Sequence, residues 1–383
     1  MVQSVNIPPL DLVRQYTTIQ AEVSDAVLKV LASGGYIGGP LVEGFEQQFA
    51  SYIGVSNCVA CNSGTDALYL ALRALGIGPG DEVITTPFTF FSTAGTISAV
   101  GATPVFVDID ARTFNLDVSQ LATAITDKTK AIIPVHLFGQ PADMTAVMAI
   151  AQSHQLAVIE DSAQAVGAKW AEQTVGSIGH IGCFSFYPTK NLGACGDGGA
   201  ITTNDPAIAA NIRTLRDHGQ RIRYYHDEIG INSRLDAIQA AILQIKLRYL
   251  DTWNEQRRQL ADRYYQFLNL LPNLVAPQEP TGSQGVWHQY TVRLSKDNQA
   301  VNFTAGNFRD QVRQLLQQQG ISSTIYYPQP IHLQPVYKVL GYQPGQLPVV
   351  EQACREVLSL PMFPELSIEQ QDQVIYGLKD ALS

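Results

Sequence analysis

The chain has 383 residues, 45% apolar and 15% charged; that length suits about two to three domains, and the composition excludes a disordered chain. Lys and Arg total 25 against 34 Asp and Glu, giving a net charge of −9. This argues against general nucleic-acid or anionic-membrane binding, since both reward a cationic surplus. An anionic small molecule stays open, because a local basic patch can bind one.

The N-terminus, Met1-Val2-Gln3-Ser4-Val5-Asn6, has no basic stretch followed by an apolar one, so no signal peptide is expected. No run of about 18 apolar residues predicts a transmembrane helix. The five cysteines are an odd number, which fits a reducing compartment and a cytoplasmic protein. Cys58 and Cys61 stand at C-x2-C spacing. With no second pair at zinc-finger spacing, Asn57–Cys61 reads as a short buried strand with two small hydrophobes, and no metal site is expected.

From about 57 to 203 the sequence alternates short β-rich runs with helical or turn-rich stretches. The predicted strands are Asn57–Cys61, Glu82–Thr86, Pro104–Asp108, Ala131–Val135, Ala157–Glu160, Ile181–Phe186 and Gly199–Thr203. Most are apolar throughout, as in strands covered on both faces. Asp66–Leu75 reads as a helix stopped by Gly76, and Gly78-Pro79-Gly80-Asp81 as a turn. The repetition predicts a mostly parallel α/β sheet. Beyond 205 the pattern turns helical: Asp205-Pro206 starts one helix, and 235–268 carries a long helical period. Prolines at 272, 277 and 280 interrupt it. The expected division is a large domain at 1–250 and a smaller α+β domain at 251–383. The latter has a strand near Gln289–Leu294, a helix near Asn307–Gln319 and a Pro-rich loop through 328–348.

Four segments carry chemistry. In Ile181–Gly199 an apolar strand ends in Pro188-Thr189-Lys190, followed by a glycine-rich return. Of nine lysines, only Lys190 is held on such a connection. A desolvated, aimed amine suits Schiff-base chemistry, and a surface lysine in a Gly-rich turn fits the segment equally well. In Ala157–Gln164 a hydrophobic strand delivers Asp161 at its C-terminal end, where open α/β sheets bind ligands. Taken alone, Asp161 reads as a helix N-cap before it reads as a partner for a protonated heterocyclic nitrogen. Asn62-Ser63-Gly64-Thr65-Asp66 offers helix N-terminal amides to an anion, or is an ordinary cap. It is neither a Walker A nor a G-x-G-x-x-G motif. Ser185 adds a hydroxyl five residues before Lys190. The aromatic cluster in Thr86–Thr93 is core, or supplies a ring that stacks on a planar cofactor. Jointly, taken in chain order, with cup, ring, carboxylate, hydroxyl and lysine at successive strand ends, the four segments spell a pyridoxal 5'-phosphate (PLP) site.

With these motifs the sequence resembles the DegT/DnrJ/EryC1/StrS family of PLP-dependent nucleotide-sugar aminotransferases. The resemblance runs almost end to end, through Gly35–Pro40, Asn62–Ala67, Pro87–Phe90, Thr129–Gln140, Glu160–Gln164, Ser185–Gly199, Asn232–Asp236 and Ser359–Met362. It implies the α/β type I PLP-dependent transferase fold. That fold has a mostly parallel seven-stranded sheet flanked by helices, plus the smaller C-terminal domain. It further implies Lys190 as the Schiff-base lysine and proton shuttle, Asp161 on the pyridine nitrogen, Gln164 on the ring hydroxyl and Phe90 on the ring face. Gly64, Thr65 and Ser185 would hold the phosphate, with Asn232 reaching it from the neighbouring subunit of a homodimer. The implied reaction moves an amino group from L-glutamate to a keto group, at C3 in the branch this chain resembles most, of a nucleotide-linked sugar. Arg234, Tyr326 and Tyr327 would face that sugar, and His332 either lies near it or is structural. The family commonly has His-Tyr-Pro where this chain has Tyr326-Tyr327-Pro328. Arg213, Arg216, Arg221 and Arg223, four arginines in eleven residues, are either a pyrophosphate site or a solvated helix end and loop. A 4-keto-sugar aminotransferase and a non-catalytic PLP-binding regulatory protein are the alternatives.

Overall fold

A computed structural model of the chain describes residues 6–295 and 308–383. Met1–Val5 of the N-terminal reading, and Asn307 at the head of the predicted helix, lie outside the described residues.

Seven strands form the main sheet: β1 (Asn57–Cys61), β2 (Glu82–Thr85), β3 (Thr103–Phe106), β4 (Thr129–Ile133), β5 (Ala157–Asp161), β6 (Ile181–Ser185) and β7 (Gly199–Thr203). Their spatial order is β1-β7-β6-β5-β4-β2-β3, and only β7 runs against the others. The predicted strands β1 and β7 match end to end; β2, β5 and β6 differ by one residue at the C-terminal end, and β3 and β4 lie one to two residues earlier at both ends. Both faces are covered, which is why the runs are apolar throughout. In β1, Val59 and Cys61 pack on one side with the helix Gly64–Ala74, while Cys58 and Ala60 pack on the other with Phe45, Phe49 and Phe184. Strand period two therefore puts Cys58 and Cys61 on opposite faces. One ion could not meet both thiols, and burial pushes both thiol pKa values up.

The parallel strands all end at one edge, and β7 begins there. Gly199 pairs with both Cys61 and Ser185, so the ends of three strands meet. Every segment with predicted chemistry leaves this edge.

The helical period over 235–268 is two helices, Ala237–Leu247 and Leu250–Leu268. They part at Arg248 and Tyr249, whose amides close tighter bonds to Ile245 and Lys246 carbonyls. The second helix joins two cores. Leu250 packs with Phe45, Phe184 and Phe186 under the large sheet. Leu260, Ala261, Tyr264 and Leu268 pack with Tyr290, Val292, Leu358 and Leu360 of a three-stranded antiparallel sheet. Ile7 joins this second core and bridges Ile321 in parallel. The helix predicted from Asn307 is Phe308–Gln318, and the Pro-rich 328–348 loop contains two short 3-10 turns, at Ile331–Leu333 and Pro335–Leu340. No helix of the described residues is long and apolar enough to cross a membrane.

Candidate active site

A cavity of about 500 Å³ opens at the C-terminal edge of the sheet. Gly64, Thr65, Phe90, Asp161, Gln164, Ser185, Lys190, Tyr326 and Tyr327 all line it. Nine of the eleven residues singled out from sequence thus meet in one place. The remaining two, Asn232 and Arg234, do not line it. Asn232 is exposed and its backbone pairs with Asp217, while Arg234 Nη1 donates to Asp217 Oδ1 at 3.0 Å.

Ser63 caps the helix that follows β1, its hydroxyl accepting from the Asp66 amide at 3.1 Å. Ser63, Gly64 and Thr65 line the cavity, and the free amides and dipole of a helix N-terminus make an anion site there. Gly64 must be glycine here: a Cβ would lie 2.6 Å from Ser185 Cβ. The resulting close approach places the Ser185 hydroxyl beside these amides. Thr65 Oγ1 shares a hydrogen bond with Ser92 Oγ at 2.7 Å, which fixes the other side of the cradle.

Lys190 sits on a tight return. Its amide donates to the Tyr187 carbonyl at 2.8 Å, and Ala194 N donates back to Phe186 O at 2.8 Å. A Cβ on Gly193 would lie 2.3 Å from the Pro188 carbonyl oxygen, so only glycine closes the loop. Desolvation pulls the Lys190 pKa down to about 8, against the opposing pull of Asp161. A larger share of Lys190 is therefore neutral and nucleophilic near neutral pH than for a solvated lysine.

Asp161 is buried at the end of β5. Thr93 Oγ1 donates to Oδ2 at 2.8 Å and the Ala163 amide to Oδ1 at 3.2 Å. Burial raises its pKa, while Thr93, Ala163 and the Lys190 charge act to keep it ionised. Next to it, Glu160 accepts from His136 Nε2 and from the Gly176, Ile178 and Gly179 amides, all within 3.0 Å. The Ala142 amide donates to His136 Nδ1, so Nε2 carries the proton given to Glu160. This network fixes the strand end that carries Asp161. Gln164 is oriented at both ends: Phe138 N donates to Oε1 at 2.8 Å, and Nε2 donates to the Tyr327 hydroxyl at 3.1 Å. Phe90 is 60% exposed at the mouth, a ring with a free face.

Sequence reading missed Thr93, which orients Asp161, and Thr89, whose hydroxyl lies 2.9 Å from that of Thr93. Their spacing of four inside the aromatic cluster was the available signal. We expect Thr93→Val to lower kcat about tenfold, roughly the worth of one hydrogen bond to a charged group. Because Thr93 stabilises the ionised carboxyl, its loss raises the Asp161 pKa and moves the acid limb of the pH-rate profile to higher pH. A profile that falls uniformly without moving would assign Thr93 to packing alone. His288, Gln289 and Asn191 were also missed.

The basic cluster is engaged within the chain. Arg213 donates to the Cys58 carbonyl, Arg216 to Glu46 and the Ala60 carbonyl, Arg221 pairs with Asp227, and Arg223 lies over the Tyr224 ring. None of the four lines the cavity. His332 is buried beside Glu351 at 3.4 Å and stands outside it as well.

The residues fit pyridoxal phosphate on structural grounds. A cradle that only glycine permits meets amides and hydroxyls, and a buried carboxylate and a desolvated amine face the same space.

Comparison with known proteins agrees. The sequence pattern of the DegT/DnrJ/EryC1/StrS aminotransferase family matches residues 17–379. A "pleiotropic regulatory protein" of Geobacillus stearothermophilus is 50% identical over 97% of both chains. The UDP-N-acetyl-3-dehydro-alpha-D-glucosamine 3-aminotransferase of Acidithiobacillus ferrooxidans is 47% identical over 97% of this chain and 96% of that one. The crystal structure of Streptomyces venezuelae DesV in complex with a ketimine intermediate superposes with a TM-score of 0.93, at 44% identity and 98% coverage of both chains.

Proposed function

Because the chain belongs to the DegT/DnrJ/EryC1/StrS aminotransferase family, we propose that it moves an amino group from L-glutamate to the C3 keto group of a nucleotide-linked sugar. It is a PLP-dependent sugar aminotransferase. The observation that carries the reading is Lys190 and Asp161 in one cavity, beside the cradle of Gly64, Thr65 and Ser185.

When bound, PLP supplies an electron-withdrawing ring that stores electrons and carries the amino group between the two half-reactions. The protein does the rest. Lys190 Nζ would hold the cofactor and would be the group that moves the proton between carbons. Asp161 would keep a proton on the ring nitrogen, and Thr93 and the Ala163 amide hold Asp161 in place. Phe90 would cover the ring, and Gln164 would reach its hydroxyl. Gly64, Thr65 and Ser185 would hold the phosphate. Asn232 and Arg234 lie outside the chain's own cavity, a placement that suits residues acting in the cavity of a second copy, as a homodimer with shared sites requires. Tyr326 and Tyr327 form the wall toward the sugar.

C3 as the position is supported by the names of relatives. The Acidithiobacillus protein is a 3-aminotransferase, and a Pseudomonas aeruginosa relative, 42% identical, is a UDP-2-acetamido-2-deoxy-3-oxo-D-glucuronate aminotransferase. The test is turnover of purified protein with L-glutamate and a panel of 3-keto and 4-keto nucleotide-sugars. Action on 4-keto sugars alone would defeat the C3 assignment. The Geobacillus relative's name favours a regulatory reading. Binding of PLP without any amino transfer would support that reading, and the placement of Lys190 argues against it.

The Lys190 pKa of about 8 makes a further prediction. The neutral amine is the form that reacts with an aldehyde, so the rate of PLP uptake by apo-protein should rise through about pH 8 and then level. Asp161→Asn removes the charge that raises this pKa, so its midpoint should fall to lower pH.

A further inference from the structure

We propose that His288 and Gln289 form a hydrogen-bond-accepting subsite for the hydroxyl-bearing part of the sugar, so that this wall of the cavity selects the sugar over the amino donor. The inference rests on the sugar-aminotransferase reading and assigns a substrate contact within that site.

The tautomer of His288 follows from a chain of fixed donors. Asn254 Nδ2 donates to the Val166 carbonyl at 3.0 Å, so Asn254 Oδ1 is an acceptor. Asn191 Nδ2 donates to that oxygen at 2.8 Å and to the Val286 carbonyl at 2.9 Å. Backbone carbonyls cannot donate, so neither amide can be turned round. Asn191 Oδ1 is then an acceptor, and His288 Nδ1, 3.2 Å away, must carry the hydrogen. The remaining nitrogen, Nε2, is a bare lone pair with no hydrogen-bond partner among the described residues. Burial and the nearby Lys190 and Arg257 charges hold the imidazole pKa well below its ordinary value, so protonation does not cancel this acceptor. Arg257 also fixes the backbone, donating to the Trp287, His288 and Met362 carbonyls.

Gln289 adds a second, independent sign. Its Oε1 is buried without a partner among the described residues. A buried polar atom left unpaired costs free energy, and a ligand can relieve that cost. Both residues line the main cavity and a smaller chamber of about 120 Å³, which shares Thr189 and Tyr326 with it. Leu360 and Met362 make part of the chamber's wall apolar.

His288 Nε2 is a fixed acceptor on the wall that Gln289 also lines, and a fixed acceptor asks for donors. A sugar brings hydroxyls or an amide N–H. L-Glutamate brings carboxylates, whose lone pairs would meet that of His288 head on. The wall therefore discriminates by hydrogen-bond polarity, and the amino donor's carboxylates must find their partners elsewhere.

The test compares His288→Leu, His288→Gln and Gln289→Leu in PLP-loaded protein. Calorimetry measures UDP-N-acetylglucosamine binding, and absorbance follows each half-reaction separately, with L-glutamate or with UDP-N-acetyl-3-dehydro-glucosamine. His288→Leu and Gln289→Leu should each weaken binding of UDP-N-acetylglucosamine about tenfold, about the worth of one hydrogen bond to a buried acceptor. The KM for the keto-sugar should rise with it, and the glutamate half-reaction should change much less. His288→Gln keeps an acceptor and should recover most of the loss. Equal slowing of both half-reactions would make His288 a partner of Lys190 and overturn the proposal, as would unchanged binding in both leucine variants. Gln289→Leu leaves the Asn254–Asn191–His288 chain intact, so it decides the matter even where His288→Leu perturbs folding. A wild type that accepts glutamate but binds no nucleotide-sugar would overturn the functional reading and this inference with it. That outcome is visible before any variant is made.

Discussion

Lys190→Ala is expected to cut amino transfer by about 10⁴-fold or more, with the fold preserved. Proton transfer by a positioned side chain alone is worth about 10²–10⁴-fold, and this lysine is also placed to anchor the cofactor. The loop survives the change because its closure uses backbone bonds from Lys190 N and Ala194 N, together with Gly193. The variant should lose the visible absorbance of lysine-bound cofactor while far-UV circular dichroism stays unchanged. Added methylamine should restore a small part of the rate, since it replaces the missing base without its positioning. Retained transfer at even a tenth of the wild-type rate would mean that another group does the work.

Asp161→Asn is expected to lower kcat about 10²–10³-fold, the scale of losing one preorganised charge in a water-excluded site. The substitution keeps the shape of the side chain. The Thr93 hydroxyl, which now donates to Oδ2, can rotate to accept from the new amide, so the site stays satisfied. The loss therefore reports charge rather than collapse. An amide cannot hold a proton on the ring nitrogen, and the electron sink weakens. The reading would fail if Asp161→Asn matched the wild type in both half-reactions, for then the carboxylate is only a cap.

The strands were legible because a sheet covered on both faces demands short, wholly apolar runs, and turn residues mark their ends. The site was legible where chemistry needs a residue type at a strand end: Lys190, Asp161, and Gly64 ahead of its helix. It was not legible where side chains serve other side chains. Thr93 and His288 take their meaning only from contacts far apart in sequence, Thr93 with Asp161 at the end of β5 and His288 with Asn191 beside Lys190. The break at Arg248-Tyr249 lay hidden because Leu247 and Leu250 keep the helical period through it, with no glycine or proline to mark it. The arginine cluster was ambiguous in sequence for the opposite reason. Density of charge in sequence says nothing about direction, and Arg216 turns inward to Glu46 and the Ala60 carbonyl.

The helix Leu250–Leu268 has a consequence for how the molecule comes apart. Its first turn is buried under the large sheet and its last turns among the strands of the second core. Between them, Asn254 and Arg257 hold the Lys190 loop and the His288 backbone. Neither core can open without stripping one end of this shared spine. Melting should therefore be one cooperative event, and slow amide exchange should run unbroken along the helix. The Lys190 loop is thereby tied, through Asn191, to the one element that both cores share.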